Sequence, residues 1–154
     1  MPIPELMLNG ILPPGLHAAT LTEIAARYGT SSEARTRQAR LLRLIVEAAL
    51  QYPTIKRILV WGSFVTSKLE PNDLDYSLVV ARAYDLERIA EPHRRFLVPF
   101  EARQFYGVDK NYLTIHDYPL DKYIELIDFL GMIRGRPAER CGILEISLRG
   151  EIGE

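Results

Sequence analysis

The sequence predicts a mixed α/β domain, and three observations carry that expectation. Two runs of strand length, Ile55 to Trp61 and Asp73 to Val80, are rich in β-branched and aromatic residues and are bounded by Pro53, Gly62 and Pro71-Asn72. The stretch from Ala34 to Leu50 places Leu41, Leu42, Ile45, Val46 and Ala49 at helical spacing. Helical and strand patterns also follow one another in mixed order along the chain, which suits a small mixed sheet flanked by helices.

Taken in order, the chain opens on Met1 to Ala19, where Pro2, Pro4, Pro13 and Pro14 combine with Gly10 and Gly15. Such a stretch sustains neither a helix nor a central strand, so residues 1–19 are expected to form an extended N-terminal arm. Ile11, Leu12 and Leu16 are the residues expected to lay it on the core. Thr20 and Glu23 have the spacing of a capping box, and Gly29 after Tyr28 is a stop signal, which predicts a short helix between them. Thr30-Ser31-Ser32-Glu33 is a second start signal, for the long helix that Pro53 ends. From Gly62 to Asn72 the chain is too long for a tight hairpin and suits a short helical turn from Phe64, then a loop closed by Pro71-Asn72. Asp85 can cap a helix from Leu86 to about Leu97, kinked or shortened by Pro92. Asp109 to His116 is a strand candidate, Leu120 to Met132 a helix and Gly142 to Leu148 a last strand. With no repeat, low-complexity run or linker, residues 1–154 are expected to be a single domain.

Charge and composition exclude several classes. In 154 residues, 19 Lys+Arg balance 20 Asp+Glu, so any nucleic acid or anionic membrane must be met by a local patch. No apolar run approaches the roughly 18 residues of a membrane span, and Met1 to Met7 lacks the features of a signal peptide, so a cytoplasmic protein without a membrane partner is expected. The one cysteine, Cys141, excludes an intramolecular disulfide and is expected to be inert. His17, His93 and His116 lack zinc-ligand spacing. Arg37, Arg40 and Arg43 share one side of the long helix, and Arg134, Arg136 and Arg140 cluster near the C-terminus. Both groups read as solvated faces, although an RNA backbone or an acidic partner would use the same residues.

The chemistry is concentrated between residues 58 and 80, where one strand ends in Gly62-Ser63 and the next opens with Asp73-x-Asp75. Side chains alternate along a strand, so Asp73 and Asp75 project from one face. Two crowded carboxylates repel, and a divalent cation such as Mg²⁺, which takes hard oxygen ligands and phosphate co-ligands, relieves them. Gly62 permits close approach of a ligand to the backbone, and the amides of Ser63 and Phe64 at the start of a turn suit a phosphate. Each feature alone has a plainer origin: a turn glycine, an N-cap serine, and turn or solvated aspartates.

Together, Gly62-Ser63 and Asp73-x-Asp75 resemble the signature of the nucleotidyltransferase superfamily of the DNA polymerase β type. The chain is also similar to small bacterial nucleotidyltransferase-like proteins, through Gly10-Ile11-Leu12-Pro13-Pro14-Gly15-x-His17-x-Ala19-Thr20 and Gly62-Ser63-Phe64-Val65-Thr66. The resemblance implies a nucleotidyltransferase-type core that moves a nucleoside monophosphate from an NTP to an RNA, protein or small-molecule acceptor with Mg²⁺. Some such proteins belong to toxin–antitoxin or phage-defence modules. It implies that Asp73 and Asp75 hold metal, and that a third carboxylate completes the site; Asp109 is the candidate, with Glu101 and Asp117 as alternatives. Gly62, Ser63, Phe64 and Lys68 are the implied nucleotide contacts. The chain departs from many superfamily members in having Phe64-Val65-Thr66 where a basic residue often follows Gly-Ser. It is also short for an accessory domain, so the acceptor site falls to its helices, a second subunit or a partner protein. Two other readings stay open: a catalytically silent binding module for protein or RNA, and a phosphohydrolase or nuclease using the same aspartates.

Overall fold

The computed structural model describes residues 2–98 and 110–148. Its elements run β1 (Gly15–Ala18), α1 (Leu21–Tyr28), α2 (Glu33–Ala49), β2 (Ile55–Trp61), a 3₁₀ turn (Gly62–Val65), β3 (Leu74–Val80), a second 3₁₀ turn (Leu86–Arg88), α3 (Glu91–Leu97), β4 (Lys110–His116), α4 (Leu120–Leu130), and β5 (Met132–Ile133), β6 (Arg136–Arg140) and β7 (Gly142–Ser147). The main sheet has the order β1-β7-β2-β3-β4. Its outer pairs, β1 with β7 and β3 with β4, are parallel, and β2 is antiparallel to both β7 and β3. The architecture is therefore mixed α/β, with β5 and β6 forming a separate two-stranded ribbon. Among the described residues no helix is long and apolar enough to cross a membrane.

Local signals account for the helix ends. The Thr20 side chain accepts from the Glu23 amide and starts α1; that of Ser32 accepts from the Arg35 amide and starts α2. Alternation then divides the sheet into two faces. From β3, Leu74, Tyr76, Leu78 and Val80 enter a large core with Ile24 and Tyr28 of α1, Leu42 and Ile45 of α2, and Phe96 and Leu97 of α3. Burying a Leu or Ile completely stabilises a fold by about 1.5–3 kcal/mol, so this face holds most of the apolar stabilisation. The opposite face carries a smaller cluster, in which Leu59, Val79, Ile115 and Ile143 meet Tyr123 and Leu130 of α4.

Three expectations need correction. The N-terminal segment is not an arm throughout, because Gly15–Ala18 joins the sheet edge as β1, paired in parallel with β7. The prolines end at Pro14, and an edge strand tolerates a missing neighbour on its outer side. The rest does lie on the core: Leu12 is fully buried, and Arg27 donates to the carbonyls of Ile3 and Pro4 at 3.1 and 3.0 Å. Leu16, by contrast, is exposed. Secondly, the helix expected from Leu86 to Leu97 is two pieces, a turn capped by Asp85 and then α3, with Pro92 in the first turn of α3. Proline lacks an amide that a first turn leaves unused, so it starts the helix here instead of kinking one. Finally, α4 stops at Leu130 and Met132 opens the β5–β6 ribbon, which no strand pattern in the sequence announced.

Candidate functional site

The site forms where β2 ends. Trp61 pairs with Asp75 across the β2–β3 ladder, and the chain then turns at Gly62, whose φ is 79°. A Cβ at that position would lie 1.9 Å from Asp75 Oδ2 and 2.8 Å from its Cγ. Gly62 is thus required twice, for a left-handed backbone and for the carboxylate resting on its Cα. The sequence motif and the fold agree here: residues thirteen positions apart come into direct contact.

Asp75 occupies an unusual electrostatic position. Its Oδ1 is shielded from solvent and, among the described residues, accepts no hydrogen bond. Burial, and after it the negative charge of Asp73, push its carboxyl up to about 7. A shielded oxygen with no donor beside a second carboxylate is a place where a cation is favoured. Asp73, half-buried, stands immediately before β3. Among the described residues no group of three His, Cys, Asp or Glu side chains is arranged to hold a metal. The two aspartates nevertheless fit Mg²⁺, which commonly takes one or two carboxylates and completes its octahedron with water and substrate phosphate oxygens.

The other predicted residues divide. Gly62, Ser63 and Phe64 share the 3₁₀ turn after β2, with Ser63 half-buried. The Phe64 side chain is fully buried, its ring 6.0 Å from that of Tyr28, so the side chain serves the core. The Lys68 side chain is exposed, while its carbonyl accepts from Arg35 Nε at 3.0 Å. Asp109 and Glu101 lie outside the described residues. Asp117 is excluded as the third carboxylate. It follows His116, which is paired with Val80, whereas Asp75 is paired with Asn111. That separation is roughly 17–20 Å along the strand. Asp117 is also held below the usual carboxylate range by a hydrogen bond from Lys56 at 2.7 Å, with Arg57 at 3.2 Å.

Two residues at this site escaped the sequence reading. Arg35 and Gln38 of α2 are each 3% exposed. Arg35 donates to the carbonyls of Phe64 and Thr66 at 2.6 Å and of Tyr28 at 3.1 Å, as well as to Lys68. Gln38 donates to the Pro71 carbonyl at 2.7 Å, and Ser32, at the start of the same helix, donates to Leu69 at 2.7 Å. Ser32, Arg35 and Gln38 recur every three residues, so one helix face holds the loop between Gly62 and Asp73. A signal existed: Arg35 and Gln38 continue the stripe of Leu42 and Ile45, where an apolar residue is expected. The more conspicuous Arg37, Arg40 and Arg43 are exposed, as expected.

The remaining singled-out groups are structural. His17 Nε2 donates to the Pro13 carbonyl at 2.7 Å, and His93 Nδ1 lies 2.6 Å from the Tyr52 hydroxyl. Burial pushes the Cys141 thiol up, as an inert cysteine requires. Arg140 pairs with Asp128 at 2.9 Å.

Comparison with known proteins gives three findings. The family model described as "Family of unknown function (DUF6932)" matches residues 4–147. No curated protein matches the chain. The crystal structure of a candidate nucleotidyltransferase from Sulfolobus solfataricus aligns with 21% identity and a TM-score of 0.37, covering 61% of this chain and 83% of that one. A likeness of that size says nothing about activity.

Proposed function

Since the chain belongs to the DUF6932 family, whose function is unknown, activity has to be argued from the site, and we propose that it is a Mg²⁺-dependent nucleotidyltransferase. It moves a nucleoside monophosphate from an NTP to an RNA, protein or small-molecule acceptor. One observation carries the reading: the Asp75 carboxylate, with an oxygen that has no donor among the described residues and with the charge of Asp73 near it, rests on the backbone of Gly62 at the start of the Gly62–Val65 turn. A cation held by these hard oxygens would lie against a backbone that a phosphate can approach closely, which supports the reading.

In this reading Asp73 and Asp75 hold the metal, and bound Mg²⁺ supplies positive charge to the triphosphate and the reacting oxygens. The acceptor hydroxyl oxygen bonds to the α-phosphorus as the bond from that phosphorus to the bridging oxygen breaks, and pyrophosphate leaves with the electron pair. The hydroxyl proton goes to a carboxylate base, a role assigned to Asp109. Ser63 donates to a phosphate oxygen, and Gly62 keeps the backbone close enough for that contact. Positioning and electrostatics supply most of the rate.

The test is calorimetric titration with a non-hydrolysable NTP analogue, with and without Mg²⁺, on the wild type and on Asp73→Asn/Asp75→Asn. Metal-dependent binding that the double variant loses supports the reading. Absence of binding by the folded wild type overturns it, and the search then turns to partners of a silent module.

A further inference from the structure

The loop from Gly62 to Lys68 contains Phe64, Val65 and Thr66 where a basic side chain would ordinarily face a triphosphate, and the Lys68 side chain points to solvent. A guanidinium nevertheless lies directly beneath it. Arg35 is 3% exposed, its charged carbon 5.6 Å from the centre of the Phe64 ring and 5.9 Å from that of Tyr28. Its donors go to backbone carbonyls, three of them in the loop, and among the described residues no carboxylate forms an ion pair with it.

An arginine stays cationic in a protein, and a cation removed from water without a counter-charge is costly. Carbonyl dipoles offset part of that cost, and an anion on the other side of the loop would offset more. The fork of N–H donors is rigid, so it also fixes the peptide planes of Phe64, Thr66 and Lys68. Two neighbours brace the same loop, since Ser32 and Gln38 hold Leu69 and Pro71, and the Ser67 amide donates to the Gly10 carbonyl at 2.9 Å.

We propose that Arg35 is the positioning residue of the nucleotide loop and the source of its positive potential, with the triphosphate held over a buried guanidinium that has no ionic partner among the described residues. The proposal rests on the nucleotidyltransferase reading above. It explains how the loop can dispense with a basic residue at the Phe64-Val65-Thr66 positions.

The experiment compares wild type, Arg35→Met and Arg35→Lys in two titrations, one with a non-hydrolysable ATP analogue plus Mg²⁺ across a salt series, the other with Mn²⁺ alone followed by electron paramagnetic resonance. Loss of a charge-assisted cluster predicts that Arg35→Met weakens analogue binding about 30-fold, flattens its salt dependence and leaves Mn²⁺ affinity at Asp73 and Asp75 unchanged. Arg35→Lys, which keeps the charge without the fork, recovers part of the affinity and the wild-type salt slope. Analogue binding within about threefold of wild type by folded Arg35→Met overturns the inference and leaves the reading of the site standing. An equal fall in Mn²⁺ affinity also overturns it, since that marks general distortion. Should Arg35→Met not fold, unchanged analogue binding by Arg35→Lys overturns the positioning role. A folded wild type that binds no analogue removes the reading and this inference together.

Discussion

The two faces of the main sheet are made from alternate residues of the same strands, yet they are finished differently. Toward α1, α2 and α3, β3 presents Leu74, Tyr76, Leu78 and Val80, all fully buried, and the one polar group among them, the Tyr76 hydroxyl, donates to the Phe96 carbonyl at 2.6 Å. Toward the other face, the same strand presents Asp75, Ser77 and Val79. Polarity declines along it. Asp75 keeps an oxygen without a donor among the described residues, Ser77 accepts from Trp61 Nε1 at 3.0 Å, and Val79 packs with Leu59 and Ile115. Among the described residues of β3, the first face therefore carries no side-chain group without a hydrogen-bond partner, whereas the second carries one, at its Gly62 end. In the proposed reading, stability and chemistry therefore fall on opposite sides of one strand, one residue apart.

The sharpest way to break this comparison is to mutate each face and read both properties. Asp73→Asn/Asp75→Asn should weaken Mg²⁺-dependent binding of an NTP analogue by about 100-fold or more while the circular dichroism spectrum is retained and Tm is not lowered. Leu78→Ala should do the reverse, costing about 2–5 kcal/mol in urea unfolding with an unchanged Kd where the protein is folded. Binding lost on Leu78→Ala at full stability would show that the division is false.

The contact that joins the faces to the turn can be tested next. Gly62→Ala forces a side chain into a left-handed backbone and against Asp75, a combined cost of about 2–4 kcal/mol. In an Asp75→Ala background the collision is gone and only the backbone part, about 1 kcal/mol, should remain. A urea double-mutant cycle with no coupling between the two positions would mean that the carboxylate does not rest on Gly62.

A smaller effect follows from the raised Asp75 carboxyl. Its value is about 7 in the folded protein against 3.8 for an ordinary aspartate, so between those pH values the folded state holds a proton that the unfolded state has released. Its contribution to stability is fully present below about pH 4 and is lost as pH rises through 7. Allowing for partial solvent access, the loss should be about 1–2 kcal/mol between pH 5 and pH 8. Asp75→Asn should flatten this pH dependence, and Mg²⁺ should restore stability to the wild type at pH 8. An identical pH profile in wild type and variant would refute the buried carboxyl. The smallest expected change is that of Lys68→Ala, whose exposed ammonium should alter analogue affinity by no more than about threefold, read by the same calorimetry.

Much of the fold was legible because its signals are local. Thr20 caps α1 as its spacing suggests, the cap of α2 falls on Ser32 within the Thr30–Glu33 start signal, β2 lies between Pro53 and Gly62, and β3 begins after Pro71-Asn72. Gly62, Asp73 and Asp75 were readable for a related reason: strand alternation and a turn glycine place them with no knowledge of the rest of the chain. What stayed hidden depends on distant partners. Gly15–Ala18 has no strand pattern of its own and becomes β1 only because β7 offers it a parallel edge. Asp117, a plausible third carboxylate by composition, is claimed by Lys56 and Arg57 from another strand.

By itself, then, the sequence determined the mixed α/β class, the bounds of the central strands and the grouping of two aspartates with a glycine turn, since each follows from periodicity and backbone preference over a few residues. Tertiary structure alone decided that Asp75 would lie against Gly62 with an oxygen lacking a donor among the described residues, and that Arg35 would pass beneath the loop instead of joining the exposed arginines of its helix. Burial, and the hydrogen bonds that burial demands, arise between residues tens of positions apart, and local pattern carries no information about them.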